Sequence, residues 1–520
     1  MNDKIHPLPD DTKTLQDMVL ALQSQVESLQ DEKQHLIEQF RLAQQKQFGA
    51  SSEGHHPGQG ELFNEAEAEV EQLDVEPVQE TIGYTRSKPK RKPLPKDLPR
   101  EVVVVDIADE DKVCACCNGE LHKIGEDKNE KLEFIPAKVT VIETIRPKYA
   151  CRACEKDGIS NTIKQASVPA SIIPKGYATS SLLSQIITSK YQYGLPLYRQ
   201  EAMFKQYGIE LSRKTMADWM IKSQLALQIL YERMREILLQ QSVIQADETT
   251  LKVIGEEKTT CYMWLYCCGT DSPNNNLPDA VCSLMPNIVL YDYQASRSGQ
   301  CAADFLDGYS GYLQVDGYQG YAKTQATLVA CMAHARRKFV EADTAHRVAG
   351  RPMSKTGKAN MALNHIQKLY RIETKIKGKT AEEKYRIRQA EALPLLIQFK
   401  EWLDKSVLHV PPKTALGKAL AYSINQWPKL IRYIEDGNLN IDNNRAERAI
   451  KPFVIGRKNW LFSNTPNGAK ASATLYSIIE TVKANGLVPY DYLNYLLSEI
   501  PTLQPEQSID HLLPWEFAKR

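Results

Sequence analysis

The apolar positions near the start of the chain recur in steps of four and three: Leu15, Val19, Leu22, Val26, Leu29, Leu36 and Phe40, with Lys33 the polar member of the series. That spacing is the a/d seam of a coiled coil, and four heptads suffice to pair two helices. Residues 1–48 are therefore predicted to form a helix that joins copies of the chain into a homo-oligomer. Met18 and Leu20 widen the stripe, which would also suit a single amphipathic helix packed on its own domain.

The period then stops. Residues 49–100 contain "GASSEGHHPGQGE", a stretch from 61 to 80 with eight acidic and no basic side chains, and a stretch from 86 to 100 with seven basic and one acidic. Prolines in "RSKPKRKPLPKDLPR" forbid regular structure, so this segment reads as a linker. Helical periodicity returns over 170–240. There "LYRQEAMFKQYG" and "SRKTMADWMIKS" predict two short helices around the turn "GIEL", with Ser212 as N-cap of the second. The outline is that of a helix-turn-helix, in which Arg213 and Lys214 would face DNA and Met216, Trp219 and Met220 would pack inward. Plain bundle packing has the same outline.

After Ser242 the period changes to that of strands. "SVIQADETTLKVI", "TTCYMWLYCCG" and "NIVLYDY" are followed by the helical "SGQCAADFLDGY", the strand "GYLQVDGY", and then "TLVACMAHARRKFVEA" as a fifth strand and a helix. Residues 241–344 thus predict the first part of a ribonuclease-H-like α/β core. Residues 345–435 read as an α-helical insertion, 436–486 as the second part of the core, and 487–520 as a helical tail.

The cysteines add a metal to this picture. Five of the eleven lie between 114 and 154, and Cys114, Cys117, Cys151 and Cys154 form two CxxC knuckles. Residues 101–165 are therefore predicted to be a zinc ribbon with one structural Zn2+ held by four thiolates. Cys116 has the wrong spacing to join them. So few scattered cysteines make no disulfide scaffold, which points to a reducing compartment. The sequence has no run of 18 apolar residues, and "MNDKIHPLPDD" lacks the apolar core of a signal peptide. A cytosolic protein with no membrane partner is expected. The net charge of +1 does not exclude a polyanion, because the charges are unevenly placed.

Two carboxylates stand out in the core. Asp247 lies in the first strand and Asp316 at the end of the fourth, so parallel pairing of those strands would make them neighbours able to share a divalent cation. Glu248 adjoins Asp247, but successive strand residues face opposite ways, so one of the two is excluded. A third carboxylate is needed to fix two ions about 3.5 to 4 Å apart. Glu447 suits that role, because it starts a helix in "DNNRAERAIKP", where Asp442 and the asparagines can cap and Arg445, Arg448 and Lys451 favour negative charge. Its alternative is an ordinary (i, i+4) pair with Lys451. Arg457 and Lys458, in the basic turn "GRKNW", are candidate phosphate contacts, as are Arg336, Arg337 and Lys338. Trp460 could stack on an unpaired base or belong to the core. His334 stands near the expected catalytic rim with its role open.

Taken in order, "ADET", "VDGYQGY", "AHARRKF", "DNNRAERAIKP" and "GRKNWLFS" closely resemble the bacterial transposases of the insertion-sequence 66 family. These are members of the DDE superfamily with a ribonuclease-H-like core. The resemblance covers nearly the whole chain, including "FGASSE", the CxxC pair and "GLVPYDYLNYLLSEIP". It implies that Asp247, Asp316 and Glu447 bind two Mg2+ or Mn2+ ions for cleavage of DNA at the terminal inverted repeats and strand transfer to target DNA. It also implies companion proteins encoded by the same element. "DETTLKV" departs from the family in lacking a proline soon after the aspartate, but the carboxylate remains. Two other classes stay open: a DNA-binding regulator without catalysis, and a nuclease that cuts without joining.

Overall fold

The computed structural model describes residues 11–48, 102, 139–149, 163–269, 286–346, 357–504 and 506–519. The chain forms two compact units, Glu76–Ala166 and Met1–Val75 with Ser167–Arg520. The N-terminal seam lies on one continuous helix, α1 (Thr12–Phe48). Val19, Leu22, Val26, Leu29, Leu36 and Phe40 on that seam are all more than half exposed. Near its end the helix is anchored to its own unit. Buried Glu38 accepts the backbone N–H of Ala415 at 2.7 Å, and Arg41 donates to the Ala345 carbonyl at 2.9 Å.

In the smaller unit the antiparallel ladder of β1 (Lys148–Tyr149) with β2 (Lys164–Gln165) is described. Gln165 fastens it by donating to the Arg146 carbonyl at 2.9 Å. Cys114, Cys117, Cys151 and Cys154 lie outside the described residues, as does the acidic and basic linker.

Three helices precede the sheet: α2 (Ser180–Tyr191), α3 (Leu197–Gln206) and α4 (Arg213–Leu239). Ser212 caps α4, its hydroxyl accepting the Thr215 N–H at 3.2 Å. Met216, Trp219 and Met220 are buried, while Arg213 and Lys214 are exposed. The helix is not the short one that the sequence predicts. Leu227, Leu230, Tyr231, Met234 and Leu238 continue its apolar stripe, so it runs for 27 residues.

The sheet has five strands: β3 (Val243–Lys252), β4 (Thr260–Cys268), β5 (Ile288–Gln294), β6 (Tyr312–Val315) and β7 (Thr327–Ala330), in the order β5-β4-β3-β6-β7. The first three pair antiparallel, and β3–β6 and β6–β7 pair parallel. Helix α5 (Gly299–Phe305) joins β5 to β6, and its Phe305 stacks on the buried ring of Tyr266 at 3.9 Å. Helix α6 (Met332–His346) follows β7 after a single residue, Cys331.

The predicted insertion is helical: α7 (Lys358–Lys375), α8 (Ala381–Ile387), a π-helical turn over Arg388–Ala392, α9 (Leu393–Val407) and α10 (Ala415–Leu430). These helices share a core with α6 that includes Phe339, Tyr370, Phe399 and Leu420. Buried Arg388 organises their return to the sheet. Its five N–H groups reach Glu373 and the carbonyls of Tyr433, Asp436 and Leu439, at 2.6 to 3.0 Å. A buried guanidinium with every donor used holds the segment before the next helix in one conformation.

That helix is α11 (Asn444–Trp460), followed by α12 (Pro466–Ala484) and α13 (Pro489–Glu499). The "GRKNW" stretch is therefore the last turn of α11 and not a basic turn. Gly456 is needed there, because a Cβ would stand 2.2 Å from the Tyr476 hydroxyl of α12. No helix among the described residues is long and apolar enough to cross a membrane.

Candidate active site

Asp247 is the fifth residue of β3, and the ladder decides what lies beside it. The parallel pairing runs Val243 with Tyr312, Ile244 with Leu313 and Gln245 with Gln314, an offset of 69 residues. The same offset carries Asp247 to Asp316, just past the end of β6. Alternation puts each aspartate on the face of the glutamine two residues before it. Those glutamines are joined, with Gln245 donating to Gln314 at 2.9 Å. Gln314 in turn donates to the Asn440 carbonyl at 2.6 Å, so the same pair ties the strands to the segment that leads into α11.

The start of α11 is pinned to β3 as well. Asn443 does not cap the helix with its side chain; its amide donates to the Ala246 carbonyl at 2.8 Å, beside Asp247. Asp442 supplies the capping contact expected of this stretch, accepting the Asn444 N–H at 3.2 Å, and it also accepts the Tyr370 hydroxyl at 3.0 Å. Glu447 follows one turn later. It is buried, and its Oε1 accepts from Arg337 and lies 3.5 Å from His334 Nδ1. The side chain thus meets α6.

Asp316 sits at a tight corner. Its carboxylate accepts the Tyr318 N–H at 2.8 Å, its carbonyl accepts the Tyr422 hydroxyl from α10 at 2.9 Å, and Gly317 follows with φ +102°. Glu248 faces elsewhere, binding Tyr321 at 2.7 Å and Arg297 at 2.5 Å.

The electrostatics agree with a crowded acidic site. Burial pushes Asp247 up to about 8, with the charges of Glu248, Asp316 and Glu447 adding to the effect. Burial also raises Glu447; Arg337 opposes that shift, and Asp316 adds to it. His334 is pushed down to about 4 by burial and by Arg337. A buried carboxylate among like charges is stabilised by any cation that enters. Among the described residues, the ligating atoms that all lie within 4.8 Å of one another are those of Cys331, His334 and Glu447. The acidic trio is looser than that.

The basic residues separate into two groups. Arg336 and Arg445 are buried, and Arg445 donates to the Cys268 carbonyl at 2.6 Å and to Asn287 at 3.1 Å. As surface contacts for DNA these two are withdrawn. Trp460 is partly buried, packed against the core and edge-on to Phe453 at 5.6 Å. Arg457 is turned to β3, donating to the hydroxyls of Thr249 and Thr250 at 3.2 and 3.1 Å. Arg213, Lys214, Arg337 and Lys458 are exposed. Arg448 and Lys451 are half-buried, and Lys338 lies 4.7 Å over the Tyr422 ring. Sequence reasoning missed Cys331, Asn443, Tyr422 and the glutamine pair. One signal was legible: "QAD" at 245–247 and "QVD" at 314–316 repeat the same Q-x-D pattern on the two strands.

Residues 175–471 match a family described as "Transposase IS66 family", and 111–155 match "zinc-finger binding domain of transposase IS66", a span containing all four CxxC cysteines. Residues 35–103 match "Transposase C of IS166 homeodomain", and 477–515 match "IS66 C-terminal element". The uncharacterized protein y4qI of Sinorhizobium fredii is 33% identical over 552 residues, covering 98% of each chain. The uncharacterized protein y4jD of the same organism is 35% identical over 439 residues, covering 82% of this chain and 81% of its own. No solved structure matches the chain. With these family matches falling in order along its length, the chain belongs to the IS66 family of transposases.

Proposed function

We propose that the chain is a DDE-type transposase that binds the terminal inverted repeats of its own element and carries out DNA cleavage and strand transfer at Asp247, Asp316 and Glu447. Family membership supports DNA as the partner. The observation that carries the catalytic reading is the common register of Asp247 and Asp316, with Asn443 fastening the Glu447 helix to the neighbouring peptide. The sheet order and the mixed pairing support a ribonuclease-H-like core.

Three carboxylates, two of them with pKa values raised by burial and by neighbouring acids, make an all-oxygen donor set suited to Mg2+ or Mn2+. When bound, two such ions activate the attacking oxygen and stabilise the leaving one. The protein's part is placement. Tyr422 and Gly317 set the Asp316 corner, the Gln245–Gln314 pair holds the strands in register, and Glu447, released from Arg337, would be the third residue to hold the metal. Arg337 then turns to a phosphate, alongside Arg448, Lys451 and Lys458, while Arg213 and Lys214 hold duplex DNA further out. The zinc ribbon of Cys114, Cys117, Cys151 and Cys154 and the exposed seam of α1 complete the reading, the seam as the homo-oligomer contact. Companion proteins of the element are further partners.

A strand-transfer assay with labelled element ends and Mg2+ tests the proposal. Joined product is the expected result. Cut ends without joining would make the protein a nuclease, and retarded but intact DNA would make it a regulator.

A further inference from the structure

Cys331 and His334 form a C-x-x-H step across the junction of β7 and α6, with the cysteine before the helix and the histidine in its first turn. The buried Cys331 Sγ accepts the Asn443 N–H at 3.2 Å; burial and the charge of Asp442 push the thiol up, and this bond opposes that shift. His334 Nδ1 is a buried ring nitrogen without a hydrogen-bond partner, 3.5 Å from Glu447 Oε1. Its other nitrogen faces Arg337 at 3.4 Å. An orphaned imidazole nitrogen costs free energy unless something occupies the space it faces.

We infer that Cys331, His334 and Glu447 form a binding site for a thiophilic divalent cation of the zinc class, separate from the four-cysteine ribbon. Tetrahedral zinc with one sulfur, one nitrogen and one oxygen ligand places those atoms about 3.3 to 3.6 Å apart. The three donors already lie within 4.8 Å, and the histidine and glutamate are at the required separation. Closing the remainder needs a rotamer change at Cys331 or His334 and withdrawal of Arg337, whose side chain is 45% exposed and has room to leave. Thiolate and imidazole select against magnesium, so this ion differs in kind from the one that the acidic trio takes. The consequence rests on the proposed catalytic role of Glu447: an occupied site withdraws that carboxylate from Asp247 and Asp316, and zinc then competes with magnesium.

The test uses metal binding, which requires neither DNA nor catalysis, so its failure is distinct from failure of the transposase reading. The full chain is loaded with zinc at the ribbon and titrated with Co2+. One further equivalent is expected, with a thiolate-to-cobalt charge-transfer band that the Cys331→Ser variant lacks. His334→Gln leaves the thiol in place and serves if the serine variant does not fold; it should weaken cobalt binding more than about tenfold. No further equivalent in the wild type, a band undiminished in Cys331→Ser, or unchanged affinity in His334→Gln would overturn the site.

Discussion

At the free edge of β5, Val289 and Tyr291 donate their N–H groups to the hydroxyls of Thr481 and Ser477 on α12, at 3.0 and 2.7 Å, and Thr481 returns a bond to the Val289 carbonyl. In the same sheet, where the middle of β3 lies beside the end of β6, the charges of Asp316 and Glu447 raise Asp247, and that of Asp316 raises Glu447. The first region satisfies two N–H groups of an edge strand with neutral hydroxyls that a helix carries in. The second accumulates like charges that folding alone would disfavour. A sheet that can finish one boundary so completely is not short of means to finish the other. The unfinished boundary leaves buried carboxylates facing like charge.

The strongest way to break this contrast is Asp316→Asn. Cleavage should fall on the order of a thousandfold or more, the scale of losing a fixed charge at a reacting centre, while element-end DNA is still bound in a mobility-shift assay. Normal cleavage by the variant would remove Asp316 from the site. Asn443→Ala comes next, because it frees the Glu447 helix from β3. A displacement of that kind costs roughly a hundredfold in turnover, and the expected loss exceeds whatever change appears in the melting curve. On the other boundary, Thr481→Val leaves the Val289 N–H buried without a partner and should cost about 1 to 3 kcal/mol in urea unfolding. Turnover measured well below the transition should stay near wild type; a catalytic collapse there would show that the two boundaries are coupled. The smallest effect belongs to Lys458→Ala, which should weaken DNA binding a few-fold and lower the slope of log affinity against log salt by about one.

Legibility in the sequence followed how local each signal was. The strands of the sheet could be read because β-branched and aromatic runs are broken by turn residues, and Asp247 and Asp316 stood out because one lies in the first strand and the other at the end of the fourth, which parallel pairing makes neighbours. Glu447 was legible as an acid in a basic run. The fates of its neighbours were not, because Arg445 and Arg448 are three residues apart on one helix and look alike in sequence. Which of them meets the Cys268 carbonyl depends on how α11 lies across the sheet. Arg336 and Arg337 differ for the same reason, since adjacent helix positions point about 100° apart and only one can face the core. The length of α4 was underread because its apolar stripe passes straight from one packing partner to the next.

The anchoring of α1 has a mechanical result. Arg41 grips the Ala345 carbonyl in the last turns of α6, and the first two turns of that same helix carry His334 and Arg337 against Glu447. Roughly 22 Å of stiff helix separates the two ends. A load on α1 is therefore carried through one rigid helix to the turns that touch Glu447.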